Sequence, residues 1–244
     1  MLLRTGSGRV TTEAVLLDYG LTLVSFEFPR DALLEVLERV RPAIAGATGA
    51  PAPSARELMT GVLDPIEADL ELLGEDEVTD YLAFYERGWR RAGLALPRPL
   101  LAEILDLEQR CWDRAVRPAP GALAALRGLR LRGVRTAIAS NAPFPPEMMR
   151  RQMAGAGVAP LVDAIVLSSE VGRRKPAPEL YRAALGSVGT APDRALHVGD
   201  RLQEDFHGPR RLGIRAVICT ALAREEMPAG VPTIDSLDQL DRVL

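Results

Sequence analysis

Residues 14–22 read A-V-L-L-D-Y-G-L-T, four apolar residues that stop at Asp18. An apolar run without alternation fits a strand covered on both faces. Similar runs recur at residues 135–139, ending at Ser140 and Asn141, and at residues 164–167, ending at Ser168. Others lie at residues 195–198, ending in Gly199 and Asp200, and at 216–219, with a shorter one near 233–234. Helical rhythm fills the gaps, over residues 120–131, 146–156, 178–185 and 202–212 and from Ser236 onward. Strands alternating with helices predict an α/β fold with a doubly wound parallel sheet. Right-handed crossovers then bring the strand C-termini to one edge, where such sheets bind ligands.

The stretch from Pro29 to Ala115 breaks this rhythm. Leu33, Leu37, Val40 and Ile44 fall at helical spacing, as do Val78, Leu82, Tyr85 and Trp89, then Leu100, Ile104, Leu107 and Cys111. Ser54 and Glu57 form a capping box. Prolines and glycines punctuate the stripes, and the segment gives no strand signal, so a helical bundle is predicted. Tyr85, Trp89 and Trp112 read as packing residues, and Arg90 and Arg91 as surface charges. The expected organisation is a core of residues 12–27 and 116–244, a helical insert of residues 28–115, and a flexible tail of residues 1–11. Gly6 and Gly8 in that tail follow no strand and lack a third glycine, so they do not make a dinucleotide loop.

Composition narrows the function classes. The chain has 244 residues, 47% hydrophobic and 26% charged, with a net charge of −3. That is a globular composition without a basic footprint for nucleic acid. Cys111 and Cys219 are too few for a disulfide framework or a cysteine-rich zinc site. No apolar run reaches membrane-spanning length and the N-terminus lacks a signal-peptide core, which predicts a cytoplasmic protein. Nothing in the sequence sets the oligomeric state.

The chemistry collects at the strand ends. Asp18, Ser140 and Asp200 each end an apolar run, Asp205 follows five residues after Asp200, and Lys175 stands just before a helix. Lys175 is the sole lysine among 30 basic residues. It falls where a compact ammonium suits the site better than a guanidinium. Hard carboxylate oxygens in a cleft suit Mg²⁺. A carboxylate can attack phosphorus, while a cation and a lysine neutralise the phosphoryl oxygens. His197, on a strand, reads as a packed core histidine, and His207 as a surface residue.

These motifs resemble the haloacid dehalogenase superfamily. D-Y-G-L-T-L resembles its first motif, with Asp18 as nucleophile and Thr22 as its threonine. S-N at Ser140–Asn141 resembles the second, R-K-P-A-P-E-L-Y with Lys175 the third, and H-V-G-D-x-x-x-x-D with Asp200 and Asp205 the fourth. The resemblance implies a Rossmann-like core with an inserted helical cap. It also implies a Mg²⁺-dependent phosphatase acting on a small phosphorylated metabolite through an aspartyl-phosphate. Asp18, the Gly20 carbonyl, Asp200 and Asp205 would hold the metal, with Asp205 as ligand or orienter. Thr22, Ser140, Asn141 and Lys175 would bind the phosphoryl group.

One position departs from the family pattern. Phosphatases of the family carry an aspartate two residues after the nucleophile, which protonates the leaving oxygen and then activates water. Here that residue is Gly20. General acid–base catalysis is worth roughly 10²–10⁴-fold, or about 3–5 kcal/mol, so activity would be weak unless another group steps in. Glu27 is the nearest carboxylate but reads as a solvated surface charge. The simplest account of Gly20 is that the turn moved its glycine by one position. The alternative is a silent member of the fold that binds a phosphorylated ligand or a protein. Dehalogenases of the family have tyrosine at position 20, whereas here Tyr19 is one residue early and points to the other side of the strand. Phosphonate-cleaving members use a cap lysine, and this insert has none.

Overall fold

The computed structural model describes residues 11–72 and 80–244. The Gly6–Gly8 stretch and Val78 lie outside the described residues. The chain opens with β1 (Ala14–Leu17) and β2 (Val24–Phe26). It then runs through α1 (Arg30–Thr48), α2 (Ala55–Leu58), α3 (Asp64–Glu71), α4 (Tyr81–Arg91) and α5 (Arg98–Ala115), and returns by β3 (Val116–Pro118). There follow α6 (Ala122–Leu131), β4 (Arg135–Ser140), α7 (Pro146–Gly155), β5 (Ala164–Leu167), α8 (Ser168–Val171) and α9 (Pro178–Val188). The chain ends through β6 (Ala195–Gly199), α10 (Gly208–Arg210), β7 (Arg215–Cys219) and β8 (Thr233–Ile234).

The main sheet has the order β5-β4-β1-β6-β7-β8, with every pairing parallel. Leu17 lies level with both Ile138 and Val198, so Asp18, Ser140 and Asp200 emerge together at one edge. Successive strands run one way from β1 through β4 to β5, and the other way from β6 to β8. The crevice at this reversal is where doubly wound sheets bind ligands. Both faces are covered, which explains the unbroken apolar runs. Val15 and Leu17 pack with Leu126, Leu129 and Met153, while Ala14 and Leu16 pack with Leu180, Tyr181 and Ala184.

The helices between β2 and β3 bury their own cluster, including Leu33, Leu37, Ile44, Tyr85, Trp89, Ile104 and Cys111. Tyr85 and Trp89 are fully buried packing residues, as the stripes predicted. Ser54 and Glu57 make the expected capping box. Arg90 and Arg91 form exposed pairs with Glu86 and Asp69. Phe144, from the loop after β4, packs against this cluster and meets the Tyr81 ring at 4.8 Å.

The sequence reading missed three features. β2 and β3 form an antiparallel ribbon, pairing Val24 with Pro118 and Phe26 with Val116, at the two ends of the helical insert. Three residues per strand are too few to set a period in the sequence. The helix expected over residues 202–212 is instead a π-helical stretch, Leu202–His207, followed by the short α10. The last element, Leu237–Arg242, is a 3₁₀ helix.

Candidate active site

Asp18 leaves β1 with its backbone N–H bonded to the Val198 carbonyl, which ties the loop to β6. The next residues turn sharply. Leu23 and Val24 both donate to the Tyr19 carbonyl, and Leu21 donates back to Val24. Leu21 holds the left-handed conformation of this turn, with φ 58°. Gly20 does not, and a Cβ there would meet only the Phe26 ring, at 3.7 Å. The idea of a displaced turn glycine is therefore corrected: the backbone at position 20 accepts a side chain. No hydrogen bond to the Gly20 carbonyl occurs among the described residues.

Lys175 is 3% exposed and its ammonium bridges two carboxylates, 2.6 Å from Asp18 Oδ1 and 2.7 Å from Asp205 Oδ1. Burial opposes the charge on Lys175, but Asp18 and Asp205 outweigh it and raise its pKa. Burial alone would raise Asp205. The Lys175 charge and the His197 hydrogen bond prevail and hold it below the usual carboxylate range.

Asp205 accepts at both oxygens. Lys175 and His197 Nε2 donate to Oδ1, the latter at 2.8 Å, and the backbone N–H groups of Asp200 and Arg201 donate to Oδ2 at 3.1 and 3.0 Å. A Cβ at Gly199 would overlap the Asp205 carboxylate, so only glycine admits this close approach. His197 is buried as expected, and it also fixes Asp205.

Thr22 and Asn141 act on other site residues. Thr22 Oγ1 donates to Asp200 Oδ1 at 3.0 Å. Asn141 clasps the Lys175 backbone, accepting from its N–H at 2.7 Å and donating to its carbonyl at 3.1 Å. Ser140 is buried and lines the cavity beside Asp18.

One carboxylate oxygen from each of Asp18, Asp200 and Asp205 lies within 4.8 Å of the others. Burial and the charges of Asp18 and Asp205 push Asp200 up to about 7, and burial raises Asp18 despite Lys175. No hydrogen bond to the second oxygens of Asp18 and Asp200 occurs among the described residues. Three crowded carboxylates with one ammonium form a hard, electron-rich oxygen site that fits a divalent cation. The groups also suit nucleophilic attack, since Asp18 has a fixed orientation and a cationic neighbour.

A cavity of about 250 Å³ opens over this edge, between the sheet and the helical insert. Asp18, Gly20, Ser140, Asn141, Lys175, Asp200 and Asp205 line it, and Thr22 stands behind Asp200. Several lining residues escaped the sequence reading. Trp112, expected only to pack against its neighbours, faces the cavity while its ring meets Phe26 and Phe28 edge-on. Glu67, Arg174 and Arg201 also line it, although each reads in sequence as an ordinary surface charge. Tyr19 is buried in the core, and its hydroxyl has no partner among the described residues.

The sequence profile of haloacid dehalogenase-like hydrolases matches residues 12–213. Phosphoserine phosphatase of Thermus thermophilus is 39% identical over 115 residues, covering 47% of this chain and 45% of that protein. The chain spans about half the length of the curated relatives it matches. Among solved structures, a 2-haloacid dehalogenase from Pseudomonas syringae superposes with TM-score 0.70 at 19% identity, covering 96% of this chain and 98% of the other. A phosphatase of the family from Thermococcus onnurineus superposes with TM-score 0.64 at 18% identity, covering 95% and 97%. With a profile spanning most of its length and the fold of these neighbours, the chain belongs to the haloacid dehalogenase-like hydrolase family.

Proposed function

We propose that the protein is a Mg²⁺-dependent phosphatase of a small phosphorylated metabolite. The carrying observation is the buried Lys175 ammonium shared between Asp18 and Asp205 at the sheet edge. A protein that only bound its ligand would have no use for a carboxylate oriented this way. Asp18 attacks phosphorus and forms an aspartyl-phosphate, which water then hydrolyses. Lys175 neutralises phosphoryl charge, and Ser140 offers a hydroxyl to a phosphoryl oxygen. Asp205 acts as the orienter of Lys175, since both its oxygens already accept two donors. Asn141 positions the Lys175 backbone, and Thr22 positions Asp200. Asp18, Asp200 and the Gly20 carbonyl would hold Mg²⁺, with Asp205 beside them. The metal supplies Lewis-acid stabilisation of the phosphoryl oxygens when bound.

The insert of residues 28–115 acts as a cap over the core of residues 12–27 and 116–244. The β2–β3 ribbon is the place for it to move, so that opening gates access. The likeness to a phosphoserine phosphatase supports a small phosphorylated metabolite as substrate. Among the described residues no helix is long and apolar enough to cross a membrane. The absent carboxylate at position 20 favours the second reading, a silent member that binds a phosphorylated ligand or a protein. Phosphate release from 4-nitrophenyl phosphate with Mg²⁺ decides between them. Turnover by the wild type that is lost in Asp18→Asn supports the phosphatase. No turnover by either, with Mg²⁺ bound to the wild type, supports the silent reading.

A further inference from the structure

With glycine at position 20, a general acid has to come from another carboxyl at the cavity. Asp18, Asp200 and Asp205 are engaged at the sheet edge. Glu71 and Glu204 both pair with Arg201, at 3.8 and 3.6 Å. Glu67 remains. It lines the cavity from α3 and makes no hydrogen bond or ion pair among the described residues.

The helix fixes where Glu67 faces. Residues three and four apart on a helix share a face. Leu70 and Glu71 stand at those spacings from Glu67, and both reach the catalytic loops of the core. Arg174 Nη1 lies 3.5 Å from the Leu70 carbonyl, and Arg201 pairs with Glu71. Glu67, Leu70 and Glu71 all line the cavity, so this face of α3 looks onto the space above the sheet edge. When Asp18 attacks phosphorus in line, the leaving oxygen departs on the side of phosphorus opposite Asp18, into the cavity that Glu67, Leu70 and Glu71 also line.

We propose that Glu67 is the general acid–base of the reaction, replacing across the cavity the carboxylate that position 20 lacks. The inference rests on the phosphatase reading above. As Asp18 attacks phosphorus, the bond from phosphorus to the leaving oxygen breaks. The leaving oxygen keeps that electron pair and takes the Glu67 proton, so the product departs as an alcohol. The Glu67 carboxylate then takes a proton from water as the water oxygen attacks the aspartyl-phosphate. The bond from phosphorus to Asp18 breaks, Asp18 is restored, and inorganic phosphate leaves with Glu67 protonated again.

The surroundings support a protonated resting state. Burial, with Glu71 and Asp64 on the same helix, pushes Glu67 up to about 7. Glu108 of α5 and Tyr81 and Tyr85 of α4 adjoin it in a small pocket behind α3, and none of them brings positive charge. The cations of the cavity, Lys175, Arg174 and Arg201, stand on the core side. An acid poised near neutral pH suits proton transfer in both directions.

The test is kcat/KM with Mg²⁺ for a series of aryl and alkyl phosphates, in wild type and Glu67→Gln. Glu67→Gln should lower kcat/KM for alkyl phosphates by about 10²–10³-fold and kcat/KM for 4-nitrophenyl phosphate by less than about fivefold, since kcat/KM reports the phosphorylation step alone. A weakly basic nitrophenolate leaves without a proton, whereas an alkoxide does not. In the wild type, alkyl-phosphate turnover should fall above pH 7, where Glu67 ionises, and Glu67→Gln should lose that limb. Glu67→Asp, which keeps a carboxyl, should retain the limb at a reduced rate. Equal loss on both substrate classes, or no loss on either, overturns the proposal. An unchanged dependence on leaving-group basicity between wild type and Glu67→Gln overturns it as well. Failure of the phosphatase reading looks different, because the wild type would then be inactive even on 4-nitrophenyl phosphate.

Discussion

A carboxylate returned to position 20 should relieve the protein of its need for Glu67. The perturbation is Gly20→Asp in a Glu67→Gln background. The backbone at Gly20 lies outside the left-handed region, and a new Cβ meets only Phe26 Cε1 at van der Waals distance, so the loop should accept the side chain. The added charge stands near Asp18 and Asp200. A like-charge pair about 4 Å apart costs from about 1 kcal/mol in water to about 4 kcal/mol near a protein surface. That cost falls mainly on the metal-free protein, since a bound divalent cation offsets it. A well-placed general acid lowers the barrier by about 3–5 kcal/mol. Imperfect placement leaves an expected gain of at least about tenfold in alkyl-phosphate kcat/KM over Glu67→Gln alone, with little change for 4-nitrophenyl phosphate. The assay is steady-state phosphate release with Mg²⁺, after thermal unfolding and calorimetry show a folded, metal-binding variant. A folded, metal-binding double variant no faster on alkyl phosphates than Glu67→Gln would refute the reasoning about position 20.

Asp200→Asn should weaken Mg²⁺ binding strongly by calorimetry, because an amide replaces a charged hard ligand, and should raise the unfolding temperature of the metal-free protein by relieving the crowding beside Asp18 and Asp205. Glu108 is buried, accepts a 2.7 Å hydrogen bond from the Tyr85 hydroxyl, and is pushed from 4.5 up to about 8 by burial, with Glu67 adding to the rise. An acid raised in the fold contributes stability below pH 4.5 that is withdrawn as the pH rises to 8, here on the order of 4 kcal/mol. Urea unfolding from pH 5 to pH 8 should show that decline, and Glu108→Gln should flatten it and stabilise the protein at pH 8. Leu21→Gly should be tolerated with a change of less than about 1 kcal/mol in the same assay, since relief of the leucine's φ of 58° offsets the extra entropy glycine loses on folding.

The sheet and its active edge were legible because both follow from simple contrasts. A parallel strand covered on two faces has to be apolar throughout, so the polar residue that ends it stands out, as Asp18, Ser140 and Asp200 do. Lys175 stood out by composition, as the sole lysine in an arginine-rich chain. The rest depends on contacts that no spacing reveals. Thr22 and Asn141 match phosphate-binding positions by motif, yet their side chains hold Asp200 and the Lys175 backbone. His197 has the pattern of a core residue and also joins Lys175 in fixing the Asp205 carboxylate. Glu67 sits in a short amphipathic helix, where a glutamate reads as part of a solvated face. Only the packing of α3 over the cavity turns that face inward. The left-handed residue of the first turn also escaped reading, because leucine gives no sign of it and the glycine beside it misleads.

The central claim is covalent catalysis by Asp18, and rapid acid quench tests it most directly. Wild type, Asp18→Asn and Glu67→Gln would be mixed with excess ³²P-labelled aryl phosphate and Mg²⁺, quenched within one turnover, and mapped by peptide. Wild type should carry label on the peptide containing Asp18, and hydroxylamine should release it, as expected of an acyl phosphate. Glu67→Gln should accumulate more of that label, because hydrolysis of the intermediate loses its base, and Asp18→Asn should carry none. Steady Mg²⁺-dependent phosphate release with no labelled protein, or label retained in Asp18→Asn, would contradict the mechanism.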